Sequence, residues 1–538
     1  MKRYIILPFL AAALTAQAQD TYMNERITNN SSDVIGTARY VGMGGALGAL
    51  GADISVISWN PAGIGLYRKN DIAFTFGGLW GKSSIAEENR GKGTVDQAGF
   101  VYNIPTGSES CPYVNFSFNY QKKINFNHNF YANNNLGGLS QMDQLAELTE
   151  WDDNWQNNHV GLAMQYDYDA EQRGEDRIFF KRDGNGDLYN DFSSSSYIYK
   201  HHSEGSVQSF DFNLSTNIND RAFLGLTIGV DNMRYRGWSY YMENFMDGSG
   251  PNYDLSNDYK ITGTGVNVKL GTIIRPIENS PFRFGLVVET PTWYRLRNST
   301  LFDYSNNVDN GWESYLKFKL SSPWKVRASI GSTVGTSFAW DIDYEYAAYA
   351  GIRMGYPNDD NYYPYDINTS SYKDVAMNNH TRHTLRGVHT LRAGMEWNAT
   401  KNLAFRLGYN LSTSAYEKNV SFDQYQIDYE NIKEHNLQKT AIDYSTNTSY
   451  MRMGATNILT LGVGYRAKSF YIDLAYKLRN QFVDFYAFDT NFTNSETGDP
   501  VFLRHDALNG TNLADRTIDP VDVNLTRHAI TCTLGFKF

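Results

Sequence analysis

Three groups of residues in this 538-residue chain are of the kind that could carry chemistry. Asp183, Asn185, Asp187 and Asp191 put oxygen ligands at positions 1, 3, 5 and 9 of an EF-hand-like loop, a donor set suited to calcium. Glycine is missing at position 6, however, and Ser194 stands where a bidentate glutamate belongs, so an Asx-rich turn is the favoured reading. A second group, spread over 283–406, comprises Arg283, Glu289, Lys325, Arg327, Asp341, Asp343, Glu345, Arg392, Glu396 and Arg406. Arg327, Arg392 and Arg406 are its candidate anchors for a ligand carboxylate, because a guanidinium matches a carboxylate with two parallel donors. The bland alternative, ion pairs that stiffen the fold, is favoured. The third group, His201-His202, could contact haem or a metal. Adjacent residues on a strand point to opposite faces, though, so a solvated loop pair is expected. No Ser/His/Asp order or carboxylate pair stands out, so no catalytic site and no enzyme are expected. Cys111 and Cys532 are too few for a disulfide scaffold or structural zinc, and no cofactor is implied.

The elements that must position these residues alternate with period two. Leu224, Leu226, Ile228 and Val230 alternate with Gly225, Thr227, Gly229 and Asp231, and Phe405, Leu407, Tyr409 and Leu411 with Arg406, Gly408 and Asn410. That is the strand signature. Fourteen such segments are expected, at roughly 71–80, 96–104, 112–124, 206–218, 222–241, 259–275, 282–296, 313–333, 337–349, 384–398, 402–416, 456–467, 469–487 and 525–538. Connections after even strands are short and those after odd strands long, chiefly about 125–205, 350–383, 417–455 and 488–524. An even count with both ends on the short-turn side, and several strands longer than soluble sheets use, predict an all-β, 14-stranded antiparallel transmembrane barrel. On that frame the charged set at 283–406 falls on lumenal faces.

Composition agrees. Mean hydropathy is −0.49, soluble on its face, yet 39 Tyr, 30 Phe and 45 Gly are unusual for a globular protein. Alternating lipid-facing and lumen-facing residues cancel in such an average. A net charge of −10 argues against nucleic acid. Lys2 and Arg3, an apolar run from Tyr4 to Leu14, and Ala16 and Ala18 at −3 and −1 predict a signal peptide over 1–18. No other stretch reaches the roughly 18 apolar residues of a membrane helix.

Residues 19–70 do not alternate. Small residues from Gly42 to Ala52 allow tight packing, Met43, Leu47, Leu50, Ile54, Ile57 and Trp59 supply apolar surface, and Asn60-Pro61-Ala62-Gly63 turns the chain. Gly42, Gly44 and Gly48 lack the strand and helix that a dinucleotide loop requires. A compact N-terminal plug, or hatch, inside the lumen is expected instead, with the barrel occupying 71–538.

In these residues the chain resembles the FadL/OmpP1/TodX family of outer-membrane channels. The small-residue run and Asn60-Pro61-Ala62-Gly63 match the family's NPA hatch motif, supported by Glu289-Thr-Pro-Thr-Trp293 and Leu320-Ser-Ser-Pro-Trp324. The resemblance implies passive uptake of long-chain fatty acids or similar apolar molecules. A ligand would be captured in the lumen, the hatch would move, and a lateral opening at a kink in strand 3 would release it. Here the chain departs from the pattern, since Pro112 to Lys122 has no internal Gly or Pro. Expected partners are outer-membrane lipid, a hydrophobic small molecule, and the barrel assembly machinery, which would read the aromatic C-terminal strand ending at Phe538. Rival readings are an adhesin-like binder using the long loops, an outer-membrane hydrolase, and a haem or aromatic-compound receptor on the same barrel.

Overall fold

The computed structural model describes residues 21–29, 33–83, 89–142, 180–182, 188–190, 192–246, 253–277, 280–304, 312–357, 371–417, 449–488, 492–493, 500–501 and 518–538. The predicted signal peptide and Asp183, Asn185, Asp187 and Asp191 lie outside them. Among the described residues no helix is long and apolar enough to cross a membrane.

The period-two segments form fourteen antiparallel strands. They are β1 (Asp71–Ser83), β2 (Asn89–Pro105), β3 (Tyr113–Asn125, continued by His128–Asn135), β4 (Ser194–Ile218), β5 (Ala222–Phe245) and β6 (Tyr253–Ile274). There follow β7 (Arg283–Glu289, then Trp293–Tyr304), β8 (Trp312–Ser321, then Lys325–Val334), β9 (Phe338–Ala348) and β10 (Gly387–Asn398). The last four are β11 (Leu403–Ser412), β12 (Tyr450–Arg466), β13 (Phe470–Tyr486) and β14 (Val521–Lys537). β1 pairs with β14 from Asp71↔Lys537 to Ser83↔Leu525, so the sheet closes into a barrel. Turn chemistry fits the short connections: in the turn closed by Arg221 N donating to Ile218 O at 3.0 Å, the central residues Asn219 and Asp220 both take positive φ (52° and 53°), as a type I′ turn demands.

The barrel is inside out. On β5, Leu224, Leu226 and Ile228 are exposed, whereas Gly225, Thr227 and Asp231 are buried, and Phe, Leu and Trp side chains point outward around the whole barrel. In water such a surface would be an aggregation hazard; lipid is the solvent it fits.

Three expectations are corrected. β4 begins at Ser194 rather than 206, and β3 continues to Asn135, which shortens the connection expected at 125–205 and places His201 and His202 on a strand. His201 is buried toward the lumen and His202 is half-buried on the other face, so the pair is not a solvated loop pair. β7 and β8, expected to be continuous, both break at one level, at Thr290-Pro291-Thr292 and Ser322-Pro323-Trp324, because proline cannot donate to the ladder. Ser322 bridges the break, accepting from Thr292 N through its hydroxyl at 2.8 Å and donating its own N–H to Thr292 O at 3.1 Å.

Residues 33–70 fold into the barrel as α2 (Ala38–Gly42) and two 3-10 turns, Ile54–Ser58 and Pro61–Leu66. Above them α1 (Thr21–Thr28) packs near α3 (Val375–Thr384), which belongs to the β9–β10 connection and is capped by the Asp374 carboxylate on Met377 N at 2.9 Å.

Candidate ligand site in the barrel lumen

The lower lumen is filled by the N-terminal segment, and each expected motif residue has a defined seat there. Asn60 caps the second 3-10 turn by accepting from Ala62 N at 3.2 Å, and its amide donates to Gly48 O at 2.7 Å, tying the two halves of the segment together. Pro61, Ala62 and Gly63 are buried beside it. Met43, Leu47, Leu50, Ile54, Ile57 and Trp59 join one buried cluster with barrel residues Ala73, Val101, Ile458 and Ala475.

This close fit depends on glycines in the strands. A Cβ on Gly408 would lie 2.0 Å from Gly44 N, and one on Gly225 would lie 2.3 Å from the Pro61 carbonyl carbon. The sequence reading did not single out these positions, although glycine on the lumenal side of an otherwise regular strand was the available signal.

The barrel also holds the segment by charge. The Asp343 carboxylate accepts from the Trp59 indole at 2.6 Å and from Gly48 N at 3.1 Å, while Asp341 accepts from Ala49 N and Leu50 N at 3.0 and 2.8 Å. These two carboxylates neutralise backbone donors that a coiled segment cannot pair internally. The guanidinium carbons of Arg392 and Arg327 lie over the Trp59 ring at 3.5 and 4.3 Å from its centroid. Arg327 also pairs with Glu289 and Glu345, each at 2.5 Å, and Arg406 pairs with Glu396 and Asp473, each at 2.6 Å. Two of the three expected carboxylate anchors, Arg327 and Arg406, are thus held in ion pairs, while Arg392 donates to the Tyr40 hydroxyl at 2.7 Å and lies over Trp59 of the N-terminal segment. The bland reading of the sequence describes their surroundings.

Open space lies higher. One cavity of about 580 Å³ is bounded by α1, β3, β13 and β14, with Arg26, Arg479 and Arg527 facing Glu25 and Asp33. A neighbour of about 420 Å³ shares Arg26 and Met453 with it and is lined by aromatic and thioether groups, among them Tyr22, Tyr450, Met451 and Phe485. Burial pushes the Glu25 carboxyl up to about 7, against hydrogen bonds from Asn29 and Tyr416. Asp33 is half-buried, and Lys477, 2.5 Å away, and Arg479 hold it below the ordinary carboxylate range despite its desolvation. The upper lumen therefore joins a chamber rich in Tyr and Met to a chamber with an excess of positive charge. Sequence reasoning missed Arg26 on α1 and Arg479 and Arg527 on β13 and β14, because nothing local distinguishes them from other arginines of the chain. Among the described residues no cluster of three His, Cys, Asp or Glu could hold a metal.

The wall beside this cavity is incomplete. β2 and β3 pair from Pro105↔Tyr113 only as far as Gln97↔Gln121. Beyond that, β2 pairs with β1 alone, while β3 bulges between Lys122 and Ile124 and follows β4. Side chains close this seam in place of backbone bonds: Lys122 donates to Thr94 Oγ1, and Lys92 reaches Asn127 at 3.5 Å and Glu204 at 3.6 Å. Ile124, Asn125, Phe126 and His128, which line the larger cavity, stand along it.

A closed fourteen-stranded barrel with a lipid-facing exterior and a lumen packed by its own N-terminal segment defines an outer-membrane β-barrel. Its fold is that of the FadL type. A Pseudomonas aeruginosa FadL homologue matches with a TM-score of 0.50 at 10% identity, over 94% of this chain and 98% of that one. The Ralstonia pickettii toluene transporter TbuX matches at 0.47 and 12% identity over 94% and 99%, and the Pseudomonas putida toluene transporter TodX at 0.43 and 9% over 94% and 99%. No family model and no curated protein matches the sequence.

Proposed function

We propose that this protein is a channel for passive uptake of hydrophobic compounds, with residues 33–70 as its hatch. The observation that carries this reading is the β2–β3 seam, an unpaired stretch of wall beside a lumenal cavity. An apolar solute gains free energy by leaving water, and a side exit into the bilayer spares it from returning to water below the hatch. The FadL-type fold, and the transporters among its structural neighbours, support the same reading.

The finer assignment is an amphipathic acid, such as a long-chain fatty acid. The Met- and Tyr-lined chamber would take the chain, since thioethers adapt to varied shapes. The Arg26, Arg479 and Arg527 cluster would face the carboxylate.

The test uses cells lacking the protein, complemented with a Cys111→Ser, Cys532→Ser chain that carries cysteines in place of Thr94 and Lys122. A bifunctional thiol reagent spanning the seam should abolish uptake of a labelled sixteen-carbon acid, and a cleavable version should restore it on reduction. Full uptake with the seam cross-linked would refute the lateral route. Equal uptake with and without the protein, across fatty acids and toluene, would refute the channel.

A further inference from the structure

Immediately above the apolar belt, on the side from which the long connections leave, the outer surface of β5 to β8 turns basic. Trp293 and Trp324 are each 53% exposed at the level of the proline breaks, a position suited to a membrane interface. On β7 the next outward positions are Arg295 and then Arg297; on β8, beyond Ser321, which stands opposite Trp293, they are Lys319 and then Lys317. These are paired partners: Arg295 stands opposite Lys319, and Arg297 opposite Lys317. Lys260 and Arg234 extend the patch onto β6 and β5, where Thr262 stands opposite both Arg297 and Arg234. Arg236 is accounted for by Asp258 at 2.9 Å. Among the described residues, Arg234, Lys260, Arg295, Arg297 and Lys319 have no acidic partner within ion-pair distance.

The Arg295–Lys319 tier is costly by itself, because like charges directly opposite on neighbouring strands repel. The outward faces of β10 and β11 end in His389 and Thr413 at the corresponding place. Two tiers of facing cations become favourable when an anion with several oxygens sits between them, and guanidinium forks match phosphate. Directly above a tryptophan pair, the anion within reach belongs to lipid in the outer leaflet.

We propose that the outer face of β7 and β8, flanked by β5 and β6, binds the phosphorylated headgroup of an outer-leaflet lipid of the lipid A type, its acyl chains lying against the belt below. This requires membrane insertion but not the uptake reading, so failure of either leaves the other standing. The attraction of each cation to an anionic membrane surface is additive to first order.

The test is binding of fluorescent bisphosphorylated lipid A to the full-length protein in phosphatidylcholine nanodiscs. Replacing Arg295, Arg297, Lys317 and Lys319 with Gln should weaken binding by at least about tenfold, while Lys200→Gln, on the outward face of β4, should not. Millimolar inorganic phosphate should fail to displace the lipid, and dephosphorylated lipid A should bind like plain phospholipid. Should the fourfold variant not fold, Lys317→Glu with Lys319→Glu places each carboxylate opposite an arginine. That pair should keep the fold, read by heat-modifiable gel migration, and lose the lipid. Equal binding by the folded variants and the wild type, displacement by phosphate alone, or equal binding of the dephosphorylated lipid would each overturn the proposal.

Discussion

Asp343 on β9 and Trp59 on the N-terminal segment meet through a 2.6 Å hydrogen bond from the indole nitrogen to the carboxylate, 284 residues apart in sequence. The same carboxylate also accepts from Gly48 N. One lumenal side chain therefore holds both halves of the segment, with Arg392 and Arg327 over the ring.

Removing that carboxylate in Asp343→Ala orphans two buried donors, at a cost of about 1–3 kcal/mol each. The barrel ladder is untouched, so the damage should fall on the docking of the segment. Hydrogen exchange should rise over residues 41–62, and small polar solutes should leak through reconstituted protein. Normal protection there would mean that Asp343 is not the clasp.

Gly408→Val probes the steric side of the same contact. A Cβ at that position would sit 2.0 Å from Gly44 N, and backbone cannot rotate away as a flexible side chain could. The segment should be displaced while fourteen strands still form. A protease added from the periplasmic side should then cut within residues 33–66 of the variant and spare the wild type.

Docking of α1 should depend on pH through Glu25. Its carboxyl titrates at about 7 in the fold against 4.5 when exposed, because burial penalises the charge. The folded state thus holds this proton more tightly. The contribution to stability is fully present below pH 4.5 and is lost as pH rises through 7, a swing of about 3 kcal/mol for this group. Exchange of the α1 amides should be slower at pH 5.5 than at pH 8 after correction for intrinsic rates. Glu25→Gln should flatten that difference, and a variant as pH-dependent as wild type would put the titrating group elsewhere.

Much of this architecture was legible because a barrel strand keeps its alternation over ten or more residues, as Leu224 to Asp231 do, and because Asn60-Pro61 marks a turn by local chemistry. What escaped depends on register. Gly225 and Gly408 read as weak points of a strand until the opposing Pro61 and Gly44 are known. The β2–β3 seam has no marker in Pro112 to Lys122, since it arises where β3 bulges and its partner follows β1 instead. His201 looked like loop because the strand beyond Ser206 is polar on both faces, and Arg479 and Arg527 converge only once the barrel closes.

Arg327 offers the sharpest separation of structural from ligand-binding roles. It sits between Glu289 and Glu345, all three buried. Arg327→Leu removes the guanidinium that both carboxylates accept from, a loss of about 3–5 kcal/mol by analogy with broken buried pairs. The temperature at which the barrel loses its heat-modifiable migration should fall markedly. Adding Glu289→Gln and Glu345→Gln should recover most of it, because the surplus charge is then gone. A ligand anchor would behave differently, since restoring charge balance cannot restore a lost carboxylate partner. If the triple variant regains stability and still takes up fatty acid at the wild-type rate, Arg327 is a strut of the barrel, and carboxylate recognition belongs to the upper cluster around Arg479 and Arg527.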